Sequence, residues 1–305
     1  MTHGGNAVKK NLTGLAFASP WIVGFLVFTL YPLGASFYYG LTDFNVFQSP
    51  KFVGLDNYSE LMRDDLFWKS VRNTLYLTVI STPVNLIFSL LMALLLNRRI
   101  RGLSWYRTVY YIPTIIPLAA TSLLWMWIMN AQYGLLNAML GRLGLPQPNW
   151  LADPALTKAS LVLMGLWGVG NIIIIFLASL QEVPRSLYES ASIDGAGAFR
   201  SFLNITLPTI SPIILFQLIM QVINNLQYFT QAYFIVSSTN LNAGTSGGPE
   251  NSMLMYAMYL YHNAFQYFKM GKASAMAWIL FVIAGAITWL IFRSSKRWVS
   301  YGGGD

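Results

Sequence analysis

Charge is absent from six long stretches of this chain: 11–42, 73–97, 108–141, 159–181, 201–249 and 273–292 contain no Asp, Glu, Lys or Arg. At 1.5 Å per helical residue, about 20 residues cross a hydrocarbon layer about 30 Å thick. Every one of these stretches is long enough. Inside lipid only helices and closed barrels satisfy their own backbone polar groups. The runs therefore predict an all-α polytopic membrane protein with six transmembrane helices, near 12–40, 73–97, 108–130, 159–180, 209–236 and 273–292. Composition agrees. Charged residues make up 10% of the 305 and apolar ones 55%, where a soluble domain carries about 25% charge. A disordered chain, a disulfide scaffold (there is no cysteine) and most cytosolic enzymes are excluded.

Orientation follows from the basic residues, which concentrate on the cytoplasmic side of a membrane. With both tails cytoplasmic, that side holds Lys9, Lys10, Arg98, Arg99, Arg101, Arg107, Arg185, Arg200, Arg293, Lys296 and Arg297 against four acids. The other side is nearly neutral, with eight basic residues against seven acids. The basic excess thus reports topology, and no recognition motif for nucleic acid accompanies it. The apolar run after Met1–Lys10 is too long for a cleaved signal peptide, so the first helix is expected to stay.

The chain divides into a tail at 1–10, a first helix with an extracytoplasmic segment at 11–70, a five-helix core at 71–293 and a tail at 294–305. The polar segment Asp43 to Arg72 is expected to be a folded outer segment, and 131–158, with Pro146, Pro148 and Pro154, an outer loop. Residues 237–250 read as flexible and polar. The uncharged stretch 251–268 interleaves Asn, Gln, His and six aromatics, which suits an interfacial helix better than a seventh span.

The connection between spans four and five, 181–207, is far longer than a turn requires and carries Glu182, Glu189 and Asp194. Pro184 suits a first helical position and Gly195 a residue just past a helix end. They predict a short helix over 185–193, and then a turn with Phe199, Phe202 and Leu203 that leads to Pro208. Such a hairpin can lie on lipid headgroups or dock a cytoplasmic partner. Asp194 serves equally well as a cap.

Span five places Gln217, Gln221, Asn224, Asn225, Tyr228 and Gln231 on one helical face. Amides are costly in hydrocarbon unless paired, so this face meets either a neighbouring helix or a cavity. Span four offers Trp167, Gly168, Gly170 and Asn171. Glycine there also suits helix packing, and a lone Trp suits lipid or core contact. His3 and His262 suggest no metal, and no nucleophile with its base is spaced for catalysis. No predicted span holds a charged residue at mid-depth, where proton-coupled carriers usually need one.

Glu189-Ser190-Ala191, then Gly195, then Ile205-Thr206-Leu207-Pro208 resembles the EAA loop of permease subunits of ATP-binding cassette importers, with Ser190 where the pattern has Ala. Ser19-Pro20-Trp21, Phe52-Val53-Gly54-Leu55-Asp56-Asn57-Tyr58, Arg72-Asn73-Thr74, Tyr106-Arg107-Thr108, Pro113, Pro117, Asp194-Gly195-Ala196 and the tail Lys296-Arg297-Trp298 resemble the carbohydrate (maltose-type) branch, in particular the first of its two permease subunits. Gly247-Gly248-Pro249 comes later after the fifth span than in that branch.

The resemblance implies a type I importer permease fold and a non-catalytic subunit of the inner membrane of a bacterial or archaeal cell. It implies a second permease as heterodimer partner, two cytoplasmic ATPase subunits that bind ATP and Mg, an extracytoplasmic solute-binding protein and a carbohydrate of oligosaccharide size as cargo. This chain itself has no G-x-x-x-x-G-K-[ST] and no cofactor. It further implies that Glu189, Ser190, Ala191, Asp194, Gly195, Ile205, Leu207 and Pro208 couple to the ATPase. Trp167, Gly168, Asn171, Gln217, Gln221, Asn225 and Tyr228 would face substrate. A secondary sugar carrier, or a permease for a glycerol phosphodiester or polyol, is the competing expectation.

Overall fold

A computed structural model describes residues 3–98, 101–238 and 246–300, with side chains from Gly14 onward. Arg99, residues 239–245 of the polar loop, the Gly-rich end, and the side chains of Lys9 and Lys10 lie outside the described residues. In chain order the helices are α1 (His3–Phe25), α2 (Tyr31–Gly40), α3 (Asp56–Met62), α4 (Asp65–Leu96), α5 (Leu103–Ile115), α6 (Leu118–Ile128), α7 (Leu135–Arg142) and α8 (Thr157–Trp167). There follow α9 (Gly170–Glu182), α10 (Arg185–Ile193), α11 (Ala198–Ser201), α12 (Leu207–Leu226), α13 (Thr230–Ser238), α14 (Tyr256–Tyr261) and α15 (Met270–Ser295). Two short antiparallel strands, β1 (Thr42–Asp43) and β2 (Lys51–Phe52), are the sheet among the described residues.

Four helices are long and apolar enough to cross a membrane: Gly14–Gly40, Asp65–Leu96, Ala198–Ser238 and Met270–Ser295. Two bent pairs complete six when each counts as one span, α5 with α6 and α8 with α9. The third expected span is therefore not one straight helix: it turns by 103° between Ile115 and Leu118. A residue before proline is driven out of the α region. Ile116, before Pro117, is extended with ψ 130°, and Pro117 follows with ψ 138°. The fourth span bends by 51° at Gly168 and Val169, whose ψ values of 8° and 9° end one helix and begin the next.

The chain forms two compact units, 1–63 with 263–279, and 64–262 with 280–305. In the first unit, Asn57 Nδ2 donates to the carbonyls of Gly40 and Thr42 at 3.0 and 2.9 Å. Lys272, buried, reaches Glu60 at 3.0 Å. The Lys272 ammonium holds the Glu60 carboxyl below its ordinary range.

The second unit is organised on α4. This helix starts earlier than the polar composition of 43–72 leads one to expect, because Asp64 caps it, its Oδ1 accepting from the amides of Leu66 and Phe67 at 3.0 and 3.3 Å. One face of α4 buries Ser70, Asn73, Thr74, Thr78, Ser81, Thr82, Asn85 and Ser89, a polar stripe at helical spacing. Farther along, Ala93 and Leu96 join Val169, Ile173, Phe176 and Leu180 of the fourth span and Ile210 of α12 in a buried apolar cluster.

Of the stretch 251–268 expected to lie on the membrane surface, 252–259 packs into protein instead, while Phe265, Tyr267 and Phe268 are exposed. Met253, Leu254, Met255, Tyr256, Met258 and Tyr259 are buried. Asn73 Nδ2 donates to the carbonyls of Asn251 and Leu254 at 2.9 and 3.0 Å. The Tyr256 amide donates to Thr74 Oγ1 at 2.8 Å, and the Tyr259 hydroxyl donates to Asp64. Gly247 is required by contact, since a Cβ there would stand 2.3 Å from Leu254 Cβ.

Asn73→Ala removes both bonds; the Asn251 carbonyl keeps the Leu254 amide, but the buried Leu254 carbonyl loses its side-chain donor, at a cost of about 1–3 kcal/mol. The expected outcome is earlier thermal unfolding and faster proteolysis within 246–262, measured on the purified protein. Unchanged proteolysis there would show that the segment does not depend on this clamp.

Candidate functional site

The three places where helices are interrupted meet at one cavity of about 650 Å³. Pro113, Thr114, Ile116 and Leu118 line it from the α5–α6 break, and Gly168, Val169 and Asn171 from the α8–α9 break. Gln227, Tyr228, Phe229 and Thr230 line it from the α12–α13 break. Irregular backbone at membrane depth is tolerated where it borders a cavity or is buried in protein. Here the breaks and the cavity coincide.

The polar face of span five turns toward this space: Gln217, Gln221, Asn224, Asn225, Tyr228 and Gln231 all line it. The neighbouring-helix and cavity readings of that face both hold in part. Asn225 Nδ2 donates to Thr82 Oγ1 of α4 at 3.0 Å, an interhelical bond, while Asn225 also borders the cavity. Gln217 is buried, and its Nε2 has no hydrogen-bond partner among the described residues; the same holds for the Tyr228 hydroxyl. A buried donor without a partner costs about 1–3 kcal/mol, so these groups are poised to bind something polar.

Gly168 and Asn171 line the cavity, whereas Trp167 does not; its ring stands against Trp125, edge to face, with centroids 6.3 Å apart. Aromatic surface in the lining comes from Phe216, Tyr228 and Phe229 instead. Residue spacing around a bend of 51° cannot say which neighbour of the bend points inward.

The residues that sequence reasoning missed are Ser81 and Asn85. Both are buried and line the cavity from α4. Asn85 Nδ2 donates to Ser81 Oγ at 3.2 Å, and Asn85 Oδ1 has no partner among the described residues. The same helical-period test that singles out span five would have found them. Polar groups that line the cavity come from four segments, and no lining residue carries a charge. Among the described residues no group of three His, Asp or Glu gathers that could hold a metal.

The second candidate region is the 181–207 connection. Helix α10 runs Arg185–Ile193 as its spacing predicts, but Pro184 is the residue before it, extended with ψ 129°. The helix ends in a Schellman arrangement: the Gly195 amide bonds the Ser192 carbonyl at 3.1 Å, and the Ala196 amide bonds that of Ala191 at 2.9 Å. Gly195 takes φ +74°, and nothing lies within 4 Å of where its Cβ would be. Asp194 occupies the C-cap. Glu189 and Ser190 are exposed, Ala191 is half-buried, and Leu187, Ile193 and Phe199 present apolar surface to the outside. Span five does not begin at Pro208: helical backbone is continuous from Ala198 through a π turn at Phe202–Thr206, which contains Ile205, into Leu207, the first residue of α12.

Comparison with known proteins adds a family. Residues 74–300 match the family described as binding-protein-dependent transport system inner membrane component. The chain is 40% identical to the "Probable ABC transporter permease protein YesP" of Bacillus subtilis (strain 168), over 98% of this chain and 97% of that protein. It is 32% identical to the "Diacetylchitobiose uptake system permease protein NgcF" of Streptomyces coelicolor, over 99% of this chain and 88% of that one. The fold resembles a chain of a crystallised bacterial ABC transporter involved in the import of the acidic polysaccharide alginate, with a TM-score of 0.79, 24% identity, and coverage of 96% and 98%.

Two glycines beside the cavity are expected to behave differently. A Cβ on Gly170 would stand 2.3 Å from the Tyr110 carbonyl oxygen and 2.9 Å from Thr114 Cγ2, whereas one on Gly168 would meet only the Gly165 carbonyl, at 3.7 Å. Gly170→Ala should therefore destabilise by about 1–3 kcal/mol through overpacking, and Gly168→Ala by under about 0.5 kcal/mol. Thermal unfolding of the two purified variants checks the ordering.

Proposed function

Since the chain belongs to the binding-protein-dependent transport system inner membrane components, we propose that it forms half of the translocation path of an ATP-driven carbohydrate importer. It is a permease; the work comes from elsewhere. The observation that carries the cargo class is the uncharged cavity at the helix breaks, bordered by Gln217, Gln221, Asn225, Asn85 and Asn171 with the rings of Tyr228 and Phe229. Amides donate to and accept from hydroxyls, and an aromatic face stacks on the apolar face of a sugar ring. A diacetylchitobiose permease among the relatives supports the same class. No side chain in the lining would neutralise a phosphate, which disfavours a glycerol phosphodiester as cargo.

The proposed cycle needs three kinds of partner. A second permease closes the other half of the path. An extracytoplasmic solute-binding protein delivers the sugar. Two cytoplasmic ATPase subunits bind ATP and Mg and move the permeases between outward- and inward-open states. Both termini and α10 then face the cytoplasm, as the basic residues Arg98, Arg101, Arg107, Arg185, Arg200 and Arg293 favour. Helix α10 is suited to an ATPase groove. It offers the exposed Glu189 carboxylate to a basic partner group, with Ser190, Asp194 and the apolar Leu187 and Ile193 around it.

The test is ATP-dependent uptake by the complete complex in proteoliposomes, with radiolabelled lactose, maltose and diacetylchitobiose as probes. Gln221→Leu removes a cavity amide without adding charge. At limiting sugar, uptake per assembled complex should fall about three- to tenfold, the effect of one lost hydrogen bond. Normal uptake per complex would remove Gln221 from the path.

Gly195→Asp tests the docking surface separately. Open space surrounds the Cβ position, so within this chain the cost is confined to the positive φ, about 1–2 kcal/mol. Against a docked ATPase the new carboxylate is in the way. Pull-down of the ATPase by the variant should weaken while assembly with the second permease persists. Equal recovery of the ATPase would count against docking at this turn.

A further inference from the structure

Helix α10 has little hold on the body of the protein. None of its side chains is fully buried. Leu187 and Ile193 are exposed, and the chain leaves the helix through Gly195 and Gly197, which can absorb rotation. One α10 side chain is anchored. The Tyr188 ring packs against the buried cluster that α4, α9 and α12 share. Its hydroxyl and Thr206 Oγ1 are 2.7 Å apart, bonded across 18 residues of sequence.

Thr206 is buried and is the last residue of the π turn that runs directly into α12. From there α12 continues without a break to Gln217, about 17 Å away at 1.5 Å per residue, and on to Gln221 and Asn225. These residues border the cavity. The hydrogen bond therefore bypasses the glycine turn and links α10 to the foot of the helix that carries the polar face.

We infer that Tyr188 and Thr206 form a strut that passes movement of α10 to α12, and so couples the ATPase to the sugar-facing cavity. Tyr188 is a positioning residue: it touches neither nucleotide nor cargo. The inference rests on the proposed function, because it needs an ATPase that moves α10. Without the bond, displacement of α10 is taken up by Gly195 and Gly197, and hydrolysis proceeds without moving α12 in step. An interrupted helix such as span four, bent at Gly168, is a poorer lever than the unbroken α12.

The experiment measures sugar imported per ATP hydrolysed in proteoliposomes holding the complete complex, with the binding protein and whichever of radiolabelled lactose, maltose or diacetylchitobiose the unsubstituted complex takes up. Tyr188→Phe keeps the packed ring and Thr206→Val the shape, and each removes the bond. Both should lower the ratio about three- to tenfold, the factor set by one ordinary hydrogen bond. The double variant should fall no further than either single, since the pair acts as one unit. Thr206→Ser, which keeps the hydroxyl, should restore the ratio. An unchanged ratio in both single variants overturns the strut, and so do additive losses. Reduced assembly with the ratio preserved also overturns it, because that is the signature of a merely structural bond. Absence of ATP-driven uptake of all three sugars by the unsubstituted complex overturns the proposed function itself, and the strut with it.

Discussion

Water is missing from the hydrocarbon core of a bilayer, and a backbone amide or carbonyl left without a partner there costs several kcal/mol. That requirement shapes this protein. It favours helix along the described parts of the uncharged runs that cross, and it restricts where a helix can be broken. Ile116 and Pro117, Gly168 and Val169, and Gln227 to Phe229 interrupt three of the spans, and all three interruptions border one cavity. The breaks bring Asn171, Gln227 and Tyr228 beside the amides of α12. The means that lets a broken helix exist in a membrane is thus the same one that builds a polar chamber there.

The same requirement explains the inward stripe on α4. Hydroxyls and amides facing lipid would be expensive, so Asn73, Thr74, Ser81, Thr82 and Asn85 all find protein around them. They do different work along the helix. Asn73 and Thr74 bond the backbone of 251–256, Thr82 receives the Asn225 amide, and Ser81 and Asn85 form a wall of the cavity. One helix therefore ties the buried 251–256 segment to a wall of the polar cavity. Asn85 Oδ1, Gln217 Nε2 and the Tyr228 hydroxyl remain without partners among the described residues. Groups in that condition gain when a ligand or a new helix arrangement pairs them, which is a thermodynamic reason for the site to bind and to change shape.

Close helix approach completes the arrangement. Gly170 lets α9 come within contact of the Tyr110 backbone on α5, and α4, α9 and α12 share one apolar cluster. Tightly packed elements move as bodies. On the proposed strut, a shift delivered to the foot of α12 would be felt at Gln217 and Gln221. In the proposed cycle the exposed, weakly held α10 would receive that shift.

The sequence by itself determined the membrane class, six charge-free runs long enough to cross, the short helix 185–193 and the polar face of span five. Each depends on charge-free length, on period or on a local cap, and such features are properties of neighbouring residues. It also contained the α4 stripe, legible by the same period, with Ser81 and Asn85 in it. Only the tertiary structure decided that Pro117 turns the third span by 103° while Pro83 leaves α4 continuous, because a helix bends where its neighbours leave room and satisfy the freed groups. Only it turned Trp167 away from the cavity toward Trp125, and sank 252–259 into protein, through bonds from Asn73 and Thr74 about 180 residues distant. Local sequence sets which conformations are cheap; contacts between distant segments choose among them.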